Sequence, residues 1–104
     1  MTATTTVRSL QAHAARLGEG WAGAILGTAG NSALKLFKVS GQGLPPECHA
    51  DYNEALLMLD GEILFILDGR EIRLRAGDLQ IIPAGATHAI AAGGSGSFLL
   101  FDPG

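Results

Sequence analysis

Charge is scarce in this sequence. Only 16% of its 104 residues are Asp, Glu, Lys or Arg, against roughly 25% in an average soluble domain. Seven basic and ten acidic residues leave a formal net charge of −3, which excludes the electrostatic footprint of a nucleic-acid binder. Cysteine is rarer still: Cys48 stands alone, so no disulfide can close within the chain and no CxxC motif exists. No stretch approaches the roughly 18 apolar residues of a membrane span. The N-terminal MTATTTVRSLQAHAARLGEG lacks the apolar centre of a secretion signal. Internal repeats of about 34 or 40 residues are missing as well. These absences leave the expectation of a soluble cytoplasmic protein with neither nucleic-acid nor membrane partners.

What is present is apolar surface and glycine. Apolar residues make up 47% of the chain, enough for one modest core, so residues 1–104 are expected to form a single domain. The 15 glycines are about twice the usual share and are scattered, which points to many tight turns. So small a chain, short of charge and rich in apolar residues, is expected to bury a face as a homodimer.

Residues 1–18 read as a threonine-rich tail followed by one short helix. Ser9 can cap a helix from Leu10 to about Leu17, with Gly18 placed to end it. Leu10, Ala14 and Leu17 fall on one stripe. From residue 20 to 102 the rhythm is that of strands. Trp21–Leu26, a turn at 28–31, and Ala33–Val39 come first. SGQGLPP at 40–46 is expected to be irregular, because two glycines and two prolines interrupt it. Ala55–Leu59, Glu62–Leu67 and Arg70–Arg75 are separated by Asp60-Gly61 and Asp68-Gly69, each a hairpin signal. Leu79–Ile82, Ala89–Ala92 and Phe98–Asp102 follow, with GGSG at 93–96 as a loose connection. Eight or nine short strands in about 82 residues predict an all-β sandwich, jelly roll or small barrel with one N-terminal helix.

The chemistry-bearing residues gather in two places. In ECHADYNE (47–54), Glu47, His49 and Asp51 alternate onto one side of an extended chain. Glu54 opens an apolar run, where an unpaired acid is costly. His88 follows the loop PAGAT at 83–87 and enters the next strand. Two imidazoles and one or two carboxylates from separate strands suit Fe(II), Mn or Zn. Cys48 alternates away from its neighbours and is expected to be an inert packed thiol. His13 reads as a bystander on the helix, and Arg70, Arg73 and Arg75 as a solvated strand face.

These residues resemble the cupins. That family's first motif, G-x5-H-x-H-x(3,4)-E-x6-G, is met by His49, Glu54 and Gly61 at matching spacing. Its second, G-x5-P-x-G-x2-H-x3-N, is met by Gly77, Pro83, Gly85 and His88. The resemblance spans about Lys35 to Asp102. It implies a double-stranded β-helix, a jelly-roll barrel of the RmlC-like type with a metal or small-ligand pocket inside. Carried over residue by residue, it makes His49, Glu54 and His88 ligands of a divalent metal, Fe(II), Mn, Zn or Ni. Two positions depart from the pattern: Glu47 stands where the first histidine belongs, and Ala92 where the asparagine does. Glu47 as a fourth ligand is therefore an inference from its chemistry alone. No organic cofactor is implied. Two functions stay open: a metal-binding cupin acting on or binding a small polar or aromatic metabolite, and a metal-free module that binds or senses a small ligand without catalysis.

Overall fold

The structure is a computed structural model, and it describes residues 7–18 and 22–103. The expected start of the first strand at Trp21 and the threonine-rich tail at 1–6 lie outside the described residues. The one helix among the described residues, α1 (Leu10–Arg16), is capped as expected, the Ala12 N–H donating to Ser9 Oγ at 3.2 Å. It stops at Leu17, whose backbone is already extended, so Gly18 does not serve as the terminator.

Eight antiparallel strands follow and curl into an open barrel. They are β1 (Ala22–Ala29), β2 (Ser32–Ser40), β3 (Leu44–Cys48), β4 (Glu54–Leu67), β5 (Arg70–Arg75), β6 (Leu79–Ile82), β7 (Thr87–Ile90) and β8 (Ser95–Asp102). The sheet runs β1-β2-β8-β4-β7-β3, with β5 and β6 also paired to β4. The expected all-β class with a short N-terminal helix is therefore found. Along β2, Phe37 and Val39 pack inward on the core of Leu56, Met58, Phe65 and Phe98. Leu36, on the opposite face, packs under Ala14 of α1.

Two local expectations are corrected. Asp60-Gly61 is not a hairpin turn: it lies inside β4, which runs unbroken for 14 residues. The pairing with β8 slips here, Met58 facing Phe98 and Asp60 facing Ser97, which makes the site a β-bulge. Inward positions switch from 54, 56 and 58 to 63, 65 and 67 across it, so one strand can serve both walls of the barrel. The Asp60 carboxylate accepts from the Ser97 N–H at 3.2 Å and hydroxyl at 2.7 Å. Gly61 has φ +75°, and a Cβ there would stand 2.1 Å from the Ser95 carbonyl oxygen. Only glycine fits both demands. Asp68-Gly69, in contrast, does form the β4–β5 turn, with φ +48° and +80°.

The second correction concerns 40–46. Leu44, Pro45 and Pro46 belong to β3, which among the described residues is an edge strand paired with β7 alone. Prolines are tolerated at an edge, where a missing N–H breaks no inner ladder, and the register shifts between Leu44 and Glu47. Smaller offsets occur at the β1–β2 turn, which is Gly30-Asn31 alone, and at β7, which begins two residues before the expected Ala89. No helix among the described residues is long and apolar enough to cross a membrane.

Candidate metal centre

Three segments converge at one end of the barrel. Glu47 on β3 is the direct cross-strand partner of His88 on β7, and Glu54 opens β4. His49 lies just past β3, where the chain has left the sheet. Its place is fixed from the loop before β7. The Gly85 N–H donates to the His49 carbonyl at 2.9 Å, the Ala84 N–H to Asn53 Oδ1 at 2.7 Å, and the Cys48 thiol to the Gly85 carbonyl at 3.4 Å. Gly85 has φ +82°. The loop that delivers His88 is thus clipped to the segment that carries His49.

Glu54 Oε1 lies 3.6 Å from Nε2 of both His49 and His88. Glu47 Oε2 lies 3.7 Å from His49 Nε2 and 3.9 Å from His88 Nε2. One ligand atom each from Glu47, His49 and His88 can be taken so that all lie within 4.8 Å of one another. Ligands held about 2.0–2.2 Å from one cation sit roughly 3.0–3.5 Å apart. The four carboxylate–imidazole distances, 3.6–3.9 Å, lie a few tenths of an ångström beyond that range. Tyr52 stacks on His49, rings 5.0 Å apart and 18° from parallel, while Phe65 flanks His88 at 6.2 Å.

The two acids differ in setting. Glu47 is 51% exposed, whereas Glu54 is only 4% exposed. Burial pushes the Glu54 carboxyl above its ordinary pKa, with His49 opposing and Asp102 and Glu47 reinforcing the rise. Burial likewise holds the His88 pKa down, against smaller opposing influences from the Ala86 backbone and Glu47. That direction favours the neutral imidazole, the form that binds metals. Glu54 Oε1 and His88 Nδ1 are buried with no hydrogen-bond partner of good geometry. An unsatisfied buried carboxylate oxygen costs free energy, and a cation between Glu54 and the imidazoles would relieve it. The nitrogen and oxygen donors suit a divalent first-row metal, so the residues present fit such an ion.

The site opens into a cavity of about 370 Å³. Phe37, Leu56, Phe98 and Leu100 form apolar wall, and Lys35 and Asp102 add a polar stretch. All four ligands expected from the sequence, Glu47, His49, Glu54 and His88, line it. Asp51 does not, and is exposed. Cys48 is corrected: its thiol is not packed inside but belongs to an exposed residue, because β3 is an edge strand whose outward side faces solvent. His13 remains on α1, away from the cavity.

Sequence reasoning missed Lys35 and Asp102. Lys35 Nζ donates to Asp102 Oδ2 at 3.0 Å, and Asp102 is 6% exposed. The signal was present: each is a charge on an otherwise apolar alternating face, Lys35 with Phe37 and Val39, Asp102 with Phe98 and Leu100.

Comparison with known proteins gives one family match, the cupin domain, over residues 35–103. Among solved structures, a cupin-2 domain protein from Shewanella frigidimarina is 22% identical, covering 94% of this chain and 95% of its own, with a TM-score of 0.84. KdgF from Halomonas sp. is 23% identical with a TM-score of 0.72, over 82% of this chain and 80% of its own. A cupin superfamily protein from Desulfitobacterium hafniense is 25% identical with a TM-score of 0.72, over 83% and 80%. At 22–23% identity the first two likenesses speak to fold alone. No curated protein matches the chain.

Proposed function

This chain belongs to the cupin family, and on that premise we propose that it binds one divalent cation through His49, His88, Glu54 and Glu47 and presents it to a small ligand in the barrel. The observation that carries the reading is the buried Glu54 Oε1, without a hydrogen-bond partner and 3.6 Å from both imidazole nitrogens. Family resemblance supplies three of the ligands. Glu47 joins them because its Oε2 faces both imidazoles from the exposed side.

Such a dication, Fe(II), Mn, Zn or Ni, supplies Lewis acidity to an oxygen of the ligand. The chain does the rest. Phe37, Phe98 and Leu100 shed water from the ligand's body, and a cavity of about 370 Å³ admits a metabolite-sized molecule. The ligand class this supports is a small molecule with a polar head at the histidines and an apolar or aromatic body. Glu47, half exposed at the rim, is the acid best placed to exchange a proton with solvent.

The test is to strip the protein with a chelator and titrate it with each of the four metals. Binding of one ion per chain is expected. A chain that takes up none, yet still binds small apolar ligands, would instead be a metal-free binding module.

A further inference from the structure

We propose that Lys35 is a specificity-determining residue of the cavity: its ammonium donates to a second, uncharged oxygen of the ligand, beside the oxygen held by the dication. The ligand class is then a neutral molecule with two oxygens at one end, as in a vicinal diol, on an apolar body. The metal-bound oxygen rests on the reading above, while the role of Lys35 rests on the cavity itself.

Lys35 alternates with Phe37 and Val39 onto the inward face of β2 and lines the cavity. Its side chain is 21% exposed. An ammonium on the inner wall of a barrel is costly unless it is partnered, and Asp102 Oδ2 accepts from its Nζ at 3.0 Å. Ala55 pairs with Phe101 between β4 and β8. Glu54, one residue before, and Asp102, one residue after, therefore stand at the same end of these antiparallel strands. The Lys35–Asp102 pair is thus held at the end of the cavity where both imidazoles face Glu54. Deeper in, Phe37 pairs with Phe98, and both line the apolar wall.

An ammonium has three N–H donors. Among the described residues that of Lys35 makes the one hydrogen bond to Asp102, so two donors remain for a molecule in the cavity. Charge sets what kind of oxygen they take. A dication and Lys35 bring three positive charges to the cavity, and Glu47, Glu54 and Asp102 three negative ones. No surplus positive charge is left to offset a ligand carboxylate brought in from water, whereas a hydroxyl or carbonyl oxygen enters at lower cost.

The alternative is that the Lys35–Asp102 pair only ties β2 to β8. Those strands already pair from Ala33 with Asp102 to Ser40 with Ser95, and a buried ion pair adds little to such a ladder. Replacing both partners with apolar residues, Lys35→Met with Asp102→Leu, removes the donor without stranding a buried charge. Binding to zinc-loaded protein is measured by NMR titration with three probes that share a phenyl body: styrene glycol, phenethyl alcohol and phenylacetate. Styrene glycol is expected to bind about 10-fold or more weakly to the double variant, the loss of a hydrogen bond from a charged donor. Phenethyl alcohol, with one oxygen for the metal, and phenylacetate are expected to change less than about threefold. Unchanged glycol binding by the folded variant overturns the proposal. An equal loss of phenethyl alcohol also overturns it, and an equal loss of phenylacetate overturns the uncharged class. Should the double variant not fold, the side-chain ammonium signal of Lys35 in wild type decides it, Lys38 being the only other lysine. Styrene glycol must shift that signal more than phenethyl alcohol does, and equal shifts overturn the proposal. Wild type that takes up no zinc overturns the metal reading alone, and the same comparison in the metal-free chain then decides the role of Lys35.

Discussion

Glu54 Oε1 faces His88 Nε2 at 3.6 Å across the end of the barrel, and that buried carboxylate oxygen has no hydrogen-bond partner. Native interiors seldom leave such a buried oxygen unsatisfied. The pair makes sense as half of a coordination shell, with His49 and Glu47 as the other half. The loop 83–86, clipped to His49 and Asn53, keeps the two halves together.

The bulge in β4 is a stability requirement. Gly61→Ala forces a positive φ on alanine and drives its Cβ onto the Ser95 carbonyl. A loss of about 2 kcal/mol or more is expected, measurable as a lower midpoint in urea unfolding. An unchanged midpoint would mean that the bend at Asp60-Gly61 is not built as described.

Much of this was legible in the sequence, and the failures have physical causes. Strand rhythm came through because inward and outward residues alternate cleanly along β5 and both halves of β4. His49, Glu54 and His88 stood out in the sequence because they keep the spacing of the cupin motifs. Asp60-Gly61 misled because a local turn preference was overridden by pairing with β8, a partner more than thirty residues away. Pro45-Pro46 misled because the chain alone does not reveal which strand lies at an edge. Lys35 and Asp102 went unread because their pairing spans 67 positions.

Cys48 sits between two proposed ligands yet turns its thiol to the Gly85 carbonyl. It is exposed, so a thiol reagent such as Ellman's should label it in the native protein. Cys48→Ser is expected to bind zinc within a few-fold of wild type. A large loss would place the sulfur among the ligands.

Glu62 accepts from Arg75 Nε at 2.7 Å and from Arg73 Nη1 on the outer face. These hydrogen bonds hold its carboxyl below the ordinary pKa, Arg75 contributing most. A carboxyl with a depressed folded pKa stabilises the fold above its unfolded pKa, and that contribution is lost as pH falls through the folded value. Glu62→Gln should therefore lower the melting temperature at neutral pH and converge with wild type in acid, the effect being small for a solvent-exposed cluster. A difference in melting temperature that does not change with pH would show that the ionised Glu62 carboxylate contributes nothing through these hydrogen bonds.

Ile25 on the edge strand β1, and Leu79 and Ile81 on β6, are exposed apolar side chains. We propose that they lie in a homodimer contact, which such surfaces favour. Sedimentation at micromolar concentration should then give about twice the 10.7 kDa chain mass, and a monomer mass would refute it.

A dication held by His49, His88 and the two glutamates requires both imidazoles for tight binding. Isothermal titration of zinc into chelator-stripped wild type and His88→Ala addresses it most directly. Wild type should bind one zinc per chain, and His88→Ala should bind on the order of 100-fold more weakly while keeping a wild-type circular dichroism spectrum. Equal uptake by the two proteins, or none by either, would contradict the account.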